Sequence, residues 1–171
     1  KLDIAAGGGR VELAATGQIS GHLLNQFSAD EYEGRLRVAT TSGWGFDANN
    51  HLHVLETSGE QLQNIALLTN IAPGERIYSV RFQGERAYVV TFRQVDPLFA
   101  IDLSDPRFPR VAGELVIPGF SHYLHPLAGD YLIGIGMAPD PVEGVRQVPQ
   151  VSLFDVDDLS APQLLQRFDI D

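Results

Sequence analysis

The sequence predicts an all-β domain assembled from a repeated four-stranded unit. Three observations carry that prediction. Short apolar or alternating runs recur, most of them bounded by Gly, Pro, Asn or Asp. No window sustains a 3.6-residue period long enough to define a helix. The later part of the chain also repeats the earlier part, strand for strand and turn for turn.

Strand signals appear in order as "RLRVATT" (Arg35–Thr41), "HLHVLE" (His51–Glu56), "RAYVVTF" (Arg86–Phe92), "PLFAIDL" (Pro97–Leu103) and "DYLIGIG" (Asp130–Gly136). The nearest approach to a helix, "EQLQNIALLTNI" (Glu60–Ile71), reads equally as a turn followed by a strand. "LFAIDLSDPRFPRVAGELVI" (Leu98–Ile117) aligns without a gap on "VSLFDVDDLSAPQLLQRFDI" (Val151–Ile170). Asp102 falls on Asp155, Asp105 on Asp158 and Pro109 on Pro162. Upstream, "FSADEYEGRLRVAT" (Phe27–Thr40) aligns with "YSVRFQGERAYVVT" (Tyr78–Thr91), and "IYSVRFQGERAYVVT" (Ile77–Thr91) with "SHYLHPLAGDYLIGI" (Ser121–Ile135).

Each unit therefore holds strands A to D, typified by "YSVRF", "RAYVVTF", "PLFAIDL" and "RVAGELVI". Ser20-Gly21, Pro73-Gly74 and Pro118-Gly119 turn D into the next A. Four short strands in a unit of about 40–50 residues is the period of propeller blades. A sandwich of short strands is the rival, but a sandwich has no need to recur in four-strand units. The expected fold is a β-propeller segment of about three and a half blades. Residues 1–21 end one blade, and 22–74, 75–119 and 120–171 are successive blades. Propellers usually close with about 4–8 blades. The segment is thus expected to belong to a larger ring, completed by the full-length chain or by self-association. The first residue is Lys1 rather than Met, which also reads as part of something longer.

Composition narrows the function. A net charge of −10 and a pI near 4.8 disfavour nucleic acid and anionic lipid as partners, and favour a cationic or metal-bearing ligand over an anionic one. The absence of cysteine removes disulfides, thiolate nucleophiles and Cys-based zinc sites. No apolar run approaches the roughly 20 residues of a membrane span.

"GHLLNQFSADEYEGRLRVATT", "APGERIYSVRFQGERAYVVTFRQVDPLFAIDLSDP" and "IPGFSHYLHPL" resemble the bacterial and archaeal family of secreted proteins with a C-terminal β-propeller domain. The resemblance implies an extracytoplasmic, often surface-attached protein. It implies no established activity and supplies no catalytic residue.

The residues that could carry chemistry are few. By the repeat, Asp30, Arg81 and His125 share one position on three successive A strands, so they are expected around the channel. There they either hold a polar ligand or form a structural network in which Asp30 pairs with Arg81. The B–C loop "RQVDP" offers Arg93, Gln94 and Asp96, with Arg93 as a planar fork for a carboxylate or as the partner of Asp96. Trp44 with Phe46 forms an aromatic B–C loop that either stacks on a ligand or packs on the next blade. "DLSDP" and "DVDDLSAP" lack the Gly and Glu of a calcium loop and read as turns in which Asp and Ser bind backbone N–H groups. His51 and His53 share a strand face, but no third metal ligand falls into spacing. Glu31 and Glu33 read as a solvated turn, and Gly7–Gly9 as a hairpin turn. No nucleophile elbow, zinc helix motif, P-loop or cofactor signature is present. The reading is a non-enzymatic extracellular or cell-surface module that binds a protein or glycan through its B–C loops and channel mouth. A hydrolase or lyase at the channel, and a purely architectural domain, are the alternatives.

Overall fold

The computed structural model describes residues 1–3, 11–92, 96–117, 119–139 and 147–170. A two-stranded pair, β1 (Leu2–Asp3) with β2 (Glu12–Leu13), precedes three four-stranded antiparallel sheets. The first sheet runs β3 (Ala29–Tyr32), β4 (Arg35–Ser42), β5 (Asn49–Ser58) and β6 (Gln61–Ile71). The second runs β7 (Arg76–Gln83), β8 (Arg86–Phe92), β9 (Asp96–Asp102) and β10 (Arg110–Ile117). The third runs β11 (Phe120–Leu127), β12 (Tyr131–Pro139), β13 (Gln147–Asp155) and β14 (Gln163–Asp169). In each sheet every strand pairs with its neighbour in sequence, as expected for propeller blades. The ambiguous Glu60–Ile71 stretch is strand β6 apart from its first residue. Among the described residues the helical content is two short 3-10 turns, Gln26–Ser28 and Gly45–Asp47.

The middle blade shows why its strands are apolar at consecutive positions. Successive side chains point to opposite faces of a sheet, and here both faces are covered. Ala87 and Val89 of β8, with Phe99 and Ile101 of β9, pack against Leu52, Val54 and Ile71 of the first blade. Tyr88, Val90, Leu98 and Ala100 alternate with them and pack against Leu124, Leu132, Phe154 and Val156 of the third. The outward face of the third blade shows the contrast. Ile135 occupies on β12 the place that Val90 has on β8, yet it is 47% exposed where Val90 is 1% exposed. Val151 and Phe168 are paired across β13 and β14, and Phe168 is exposed. The three blades do not close a ring by themselves.

The seams are pinned by arginines beside the A–B turns. Arg37 is buried, lies over the Tyr32 and Phe82 rings at 4.9 and 5.1 Å, pairs with Asp30 and donates to the Gly84 carbonyl of the next blade. Arg86 reaches from the second blade to the third, donating to Asp130 Oδ1 at 3.1 Å and to the Val156 carbonyl at 2.8 Å.

The C–D turns carry the repeated Asp pattern. Asp102 Oδ1 accepts from the Ser104 hydroxyl at 2.7 Å and its amide at 3.0 Å. Asp158 Oδ1 accepts from the Ser160 hydroxyl at 2.7 Å and its amide at 2.9 Å. Asp105 and Asp155 accept from the amides of Arg107 and Asp157. Each carboxylate is folded back on its own chain, which is turn chemistry rather than an open cation loop. The Ser104 hydroxyl and amide, assisted by Arg110, hold Asp102 below its ordinary value, and Ser160 does the same for Asp158.

Arg37→Met is expected to cost about 2–3 kcal/mol, the range for lost charge-assisted hydrogen bonds at a buried site. Arg35, with ion pairs at 3.5 and 3.8 Å and a more exposed side chain, is expected to cost less than about 1 kcal/mol when changed to Met. Urea unfolding of the two variants checks the order.

Candidate functional site

The strand registers fix two ends of the domain. Each A strand ends at an A–B turn, where Tyr32 pairs with Arg35, Gln83 with Arg86 and Leu127 with Tyr131. At the other end Arg76 pairs with Phe92, and Ser42 with Asn49 across the first B–C loop. Asp30, Arg81 and His125 do occupy one register position, two residues before the end of their strands. That position is beside the A–B turns and away from the B–C loops.

Each of the three is committed to a different neighbour. Asp30 pairs with Arg37 of its own blade rather than with Arg81. Arg81 Nε donates to the Leu124 carbonyl at 2.7 Å, and its guanidinium lies over Phe27 at 4.1 Å and Tyr123 at 5.0 Å. His125 Nδ1 meets the Tyr123 hydroxyl at 3.2 Å. Arg81 thus works as a seam residue, joining the second blade to the third. A hollow at this end, lined by Arg35, Arg37, Glu85 and Ser104, has about 20 Å³ of room. That is space for one water, not for a ligand. Glu33 belongs to the turn here, and Glu31, on β3, caps it, its Oε1 accepting from the Gly34 amide at 3.1 Å.

Trp44 lies at the opposite end, in the B–C loop of the first blade. It does not pack away into the next blade: 75% of it is exposed, and Phe46 is 81% exposed. The indole stacks on His22 with ring centres 5.3 Å apart and planes within 14°. Two adjoining hollows of about 290 and 270 Å³ share Trp44 and Arg76 as walls. Phe46 and Phe92 line the first, and His22, Tyr78 and His122 the second. Arg76 lies over the Tyr78 ring at 5.1 Å and donates to its hydroxyl at 3.0 Å. Behind them Tyr78, Phe92, Phe120 and His122 form one aromatic cluster with ring centres 4.5–6.0 Å apart. Arg93 and Gln94 lie outside the described residues, as do the side chain of Asp96 and residues 140–146 of the third blade's B–C loop.

Arg76, Tyr78, His22 and His122 were not singled out by the sequence reading as residues of this cleft. Tyr78 and His122 reach it through β-bulges. Pairing steps from Ile77 to Ser79 and from Ser121 to Tyr123, leaving Tyr78 and His122 as the extra residues at equivalent places on β7 and β11. A bulge re-aims a side chain, and here it does so twice at the same cleft. Gly136 permits the second bulge, because a Cβ there would collide with the Phe120 carbonyl. One sequence signal was available: aromatics at both strand ends that flank the B–C loops.

The two strand histidines form a structural pair instead. His53 is buried between Thr40 Oγ1, 3.2 Å from Nε2, and the Asn64 amide, 3.3 Å from Nδ1. With the Asn64 amide nitrogen turned to the Val54 and Ala66 carbonyls, its oxygen accepts from Nδ1, and Thr40 donates to Nε2. This is the arrangement for a neutral ring. His51 Nε2 meets the Ser42 hydroxyl at 2.7 Å. Among the described residues no cluster of three or more His, Asp or Glu could hold a metal ion.

Stacked four-stranded antiparallel blades define a β-propeller. The chain belongs to the beta propeller domain family, whose model matches residues 1–171. It is 45% identical over 156 residues to an uncharacterized protein of Methanocaldococcus jannaschii, covering 90% of this chain and 24% of that protein. It is 42% identical over 168 residues to an uncharacterized protein of Archaeoglobus fulgidus, covering 98% of this chain and 25% of that protein. The chain thus spans about a quarter of the length of these curated relatives. No described helix is long and apolar enough to cross a membrane.

Burial holds His53 below its ordinary value of 6.5; His51 opposes its protonation as well, and a hydrogen bond to the Ser20 backbone partly offsets both. A depressed folded-state pKa on a base means the unfolded chain binds the proton first. The His53 contribution is therefore fully present above about pH 6.5 and declines as pH falls below it. Thermal unfolding followed from pH 8 to 5 should show this loss, and His53→Gln should flatten it.

Proposed function

We propose that the domain is a non-enzymatic binding module displayed outside the cytoplasm, with its ligand surface on the B–C end around Trp44 and Arg76. One observation carries the reading: a large, solvent-exposed indole stacks on His22 at the edge of a cleft. Exposed aromatics cost solvation unless they are buried on binding, and anchors of this kind dominate recognition surfaces. The extracytoplasmic setting is supported by the resemblance to secreted propeller proteins. The opposite end, with Asp30, Arg81 and His125, serves the blade seams in this reading and is not the ligand surface.

The bare outward face of the third blade fits the same picture. Ile135 and Phe168 stand where the second blade buries its own side chains. In this proposal a further blade covers them, contributed by a longer chain or by a second copy. The four-fold greater length of the relatives leaves room for the first possibility.

A glycan and peptide array tests the ligand surface. Trp44→Ala is expected to weaken whatever ligand is captured by roughly tenfold to a hundredfold, as loss of an aromatic anchor does. Arg81→Ala should lower the unfolding midpoint and leave that affinity unchanged. The reverse pattern would move the site to the A–B end.

A further inference from the structure

We infer that the cleft takes an acidic oligosaccharide, with a sugar ring laid on Trp44 and a uronate carboxylate held by Arg76. The inference rests on the binding role proposed for this face and names its ligand class. The overall charge of −10 suggests a cationic ligand, but the cleft has the opposite character. Arg76 is its shared wall, and His22 and His122 add two imidazoles. Among the described residues no carboxylate comes within ion-pair distance of Arg76. The adjacent Glu75 is turned away, its Oε2 accepting from the Thr91 hydroxyl at 2.6 Å.

Arg76 is also oriented in advance. The Tyr78 ring beneath it and the hydrogen bond to the Tyr78 hydroxyl hold the guanidinium while its remaining N–H groups stay exposed. A planar fork held this way matches the two oxygens of a carboxylate. A quaternary ammonium would suit an aromatic cage, but a fixed guanidinium in the wall repels it.

A sugar fits better than a peptide for a backbone reason. Extended peptides commonly add themselves to an unpaired strand edge. β7 keeps an unpaired inner edge, but the walls of this cleft are side chains rather than strand edge: Trp44, Arg76, Tyr78, Phe92, His22 and His122. What remains is flat, exposed ring surface beside an oriented cation. A pyranose offers an apolar C–H face to the ring and a carboxylate to the arginine.

Trp44 is the only tryptophan in the chain, so its fluorescence reports on the cleft directly. The test titrates the protein with tetragalacturonate, with an uncharged galactose tetramer and with a Glu-rich peptide. Saturable change with tetragalacturonate is expected at a concentration about tenfold below that for the neutral sugar. Arg76→Leu should abolish the difference, and Arg76→Lys, which keeps the charge without the fork, should restore part of it. Equal response to the acidic and neutral sugars would overturn the ligand class while leaving the binding surface in place. A response to the peptide alone would do the same. Silence toward all three, with array ligands unaffected by Trp44→Ala, would overturn the surface itself.

Discussion

The packing of one blade on the next is the constraint on which everything else in this domain depends. A four-stranded sheet has two apolar faces to bury, and a blade buries both only with a neighbour on each side. The middle blade meets that condition. Its B strand therefore carries Ala87, Tyr88, Val89 and Val90 in succession, all essentially inaccessible to solvent. Nonpolar burial is not directional, so it sets blade against blade without fixing how far each slides or tilts. Arg37, Arg81 and Arg86 supply that direction. Each reaches from its own blade to a backbone carbonyl on the next: Gly84, Leu124 and Val156.

These anchors gather at the end of the A–B and C–D turns, and that distribution divides the labour within the domain. Arginines lock the seams at one end. The B–C end has a buried tie of its own, with Asn50 donating to the Glu75 carbonyl and Thr41 accepting from the Ile77 amide, and it also presents an exposed surface. There the protein places Trp44, Arg76, Tyr78 and His122, with Phe92 and Phe120 behind them. The bulges at Tyr78 and His122 fall near the starts of β7 and β11, and the C–D end has register shifts of its own, between Val111 and Gly113 and between Leu153 and Phe154.

The architecture was legible because it depends on local rules repeated three times. The four-strand unit, the Asp-Ser turns at Asp102 and Asp158, and the unbroken apolar run in "RAYVVTF" each follow from a few neighbouring residues. The site was less legible because its determinants are not local. Arg37 sits in a strand where a charge reads as solvent-facing; it is buried by Phe82 and Gly84, which lie 47 residues away at the far contact. The alignment of Asp30, Arg81 and His125 predicted their common register position. It did not reveal that Arg37 would take the Asp30 carboxylate, or that a peptide carbonyl and two rings would hold Arg81. The bulges shift strand parity by one residue, and no turn residue announces them. Trp44 stands out in the sequence because an aromatic in a short loop is a local signal, though its exposure is not; Arg76, which shares the cleft wall with it, belongs to the next blade.

The central claim is that ligand engages the B–C end, while the A–B end, where Arg37, Arg81 and Arg86 cross between blades, serves the seams. Amide hydrogen exchange with and without saturating tetragalacturonate tests it most directly. The account predicts new protection in residues 43–48 and 74–78, with none in 81–86 or 123–128. Protection confined to the latter segments would contradict it.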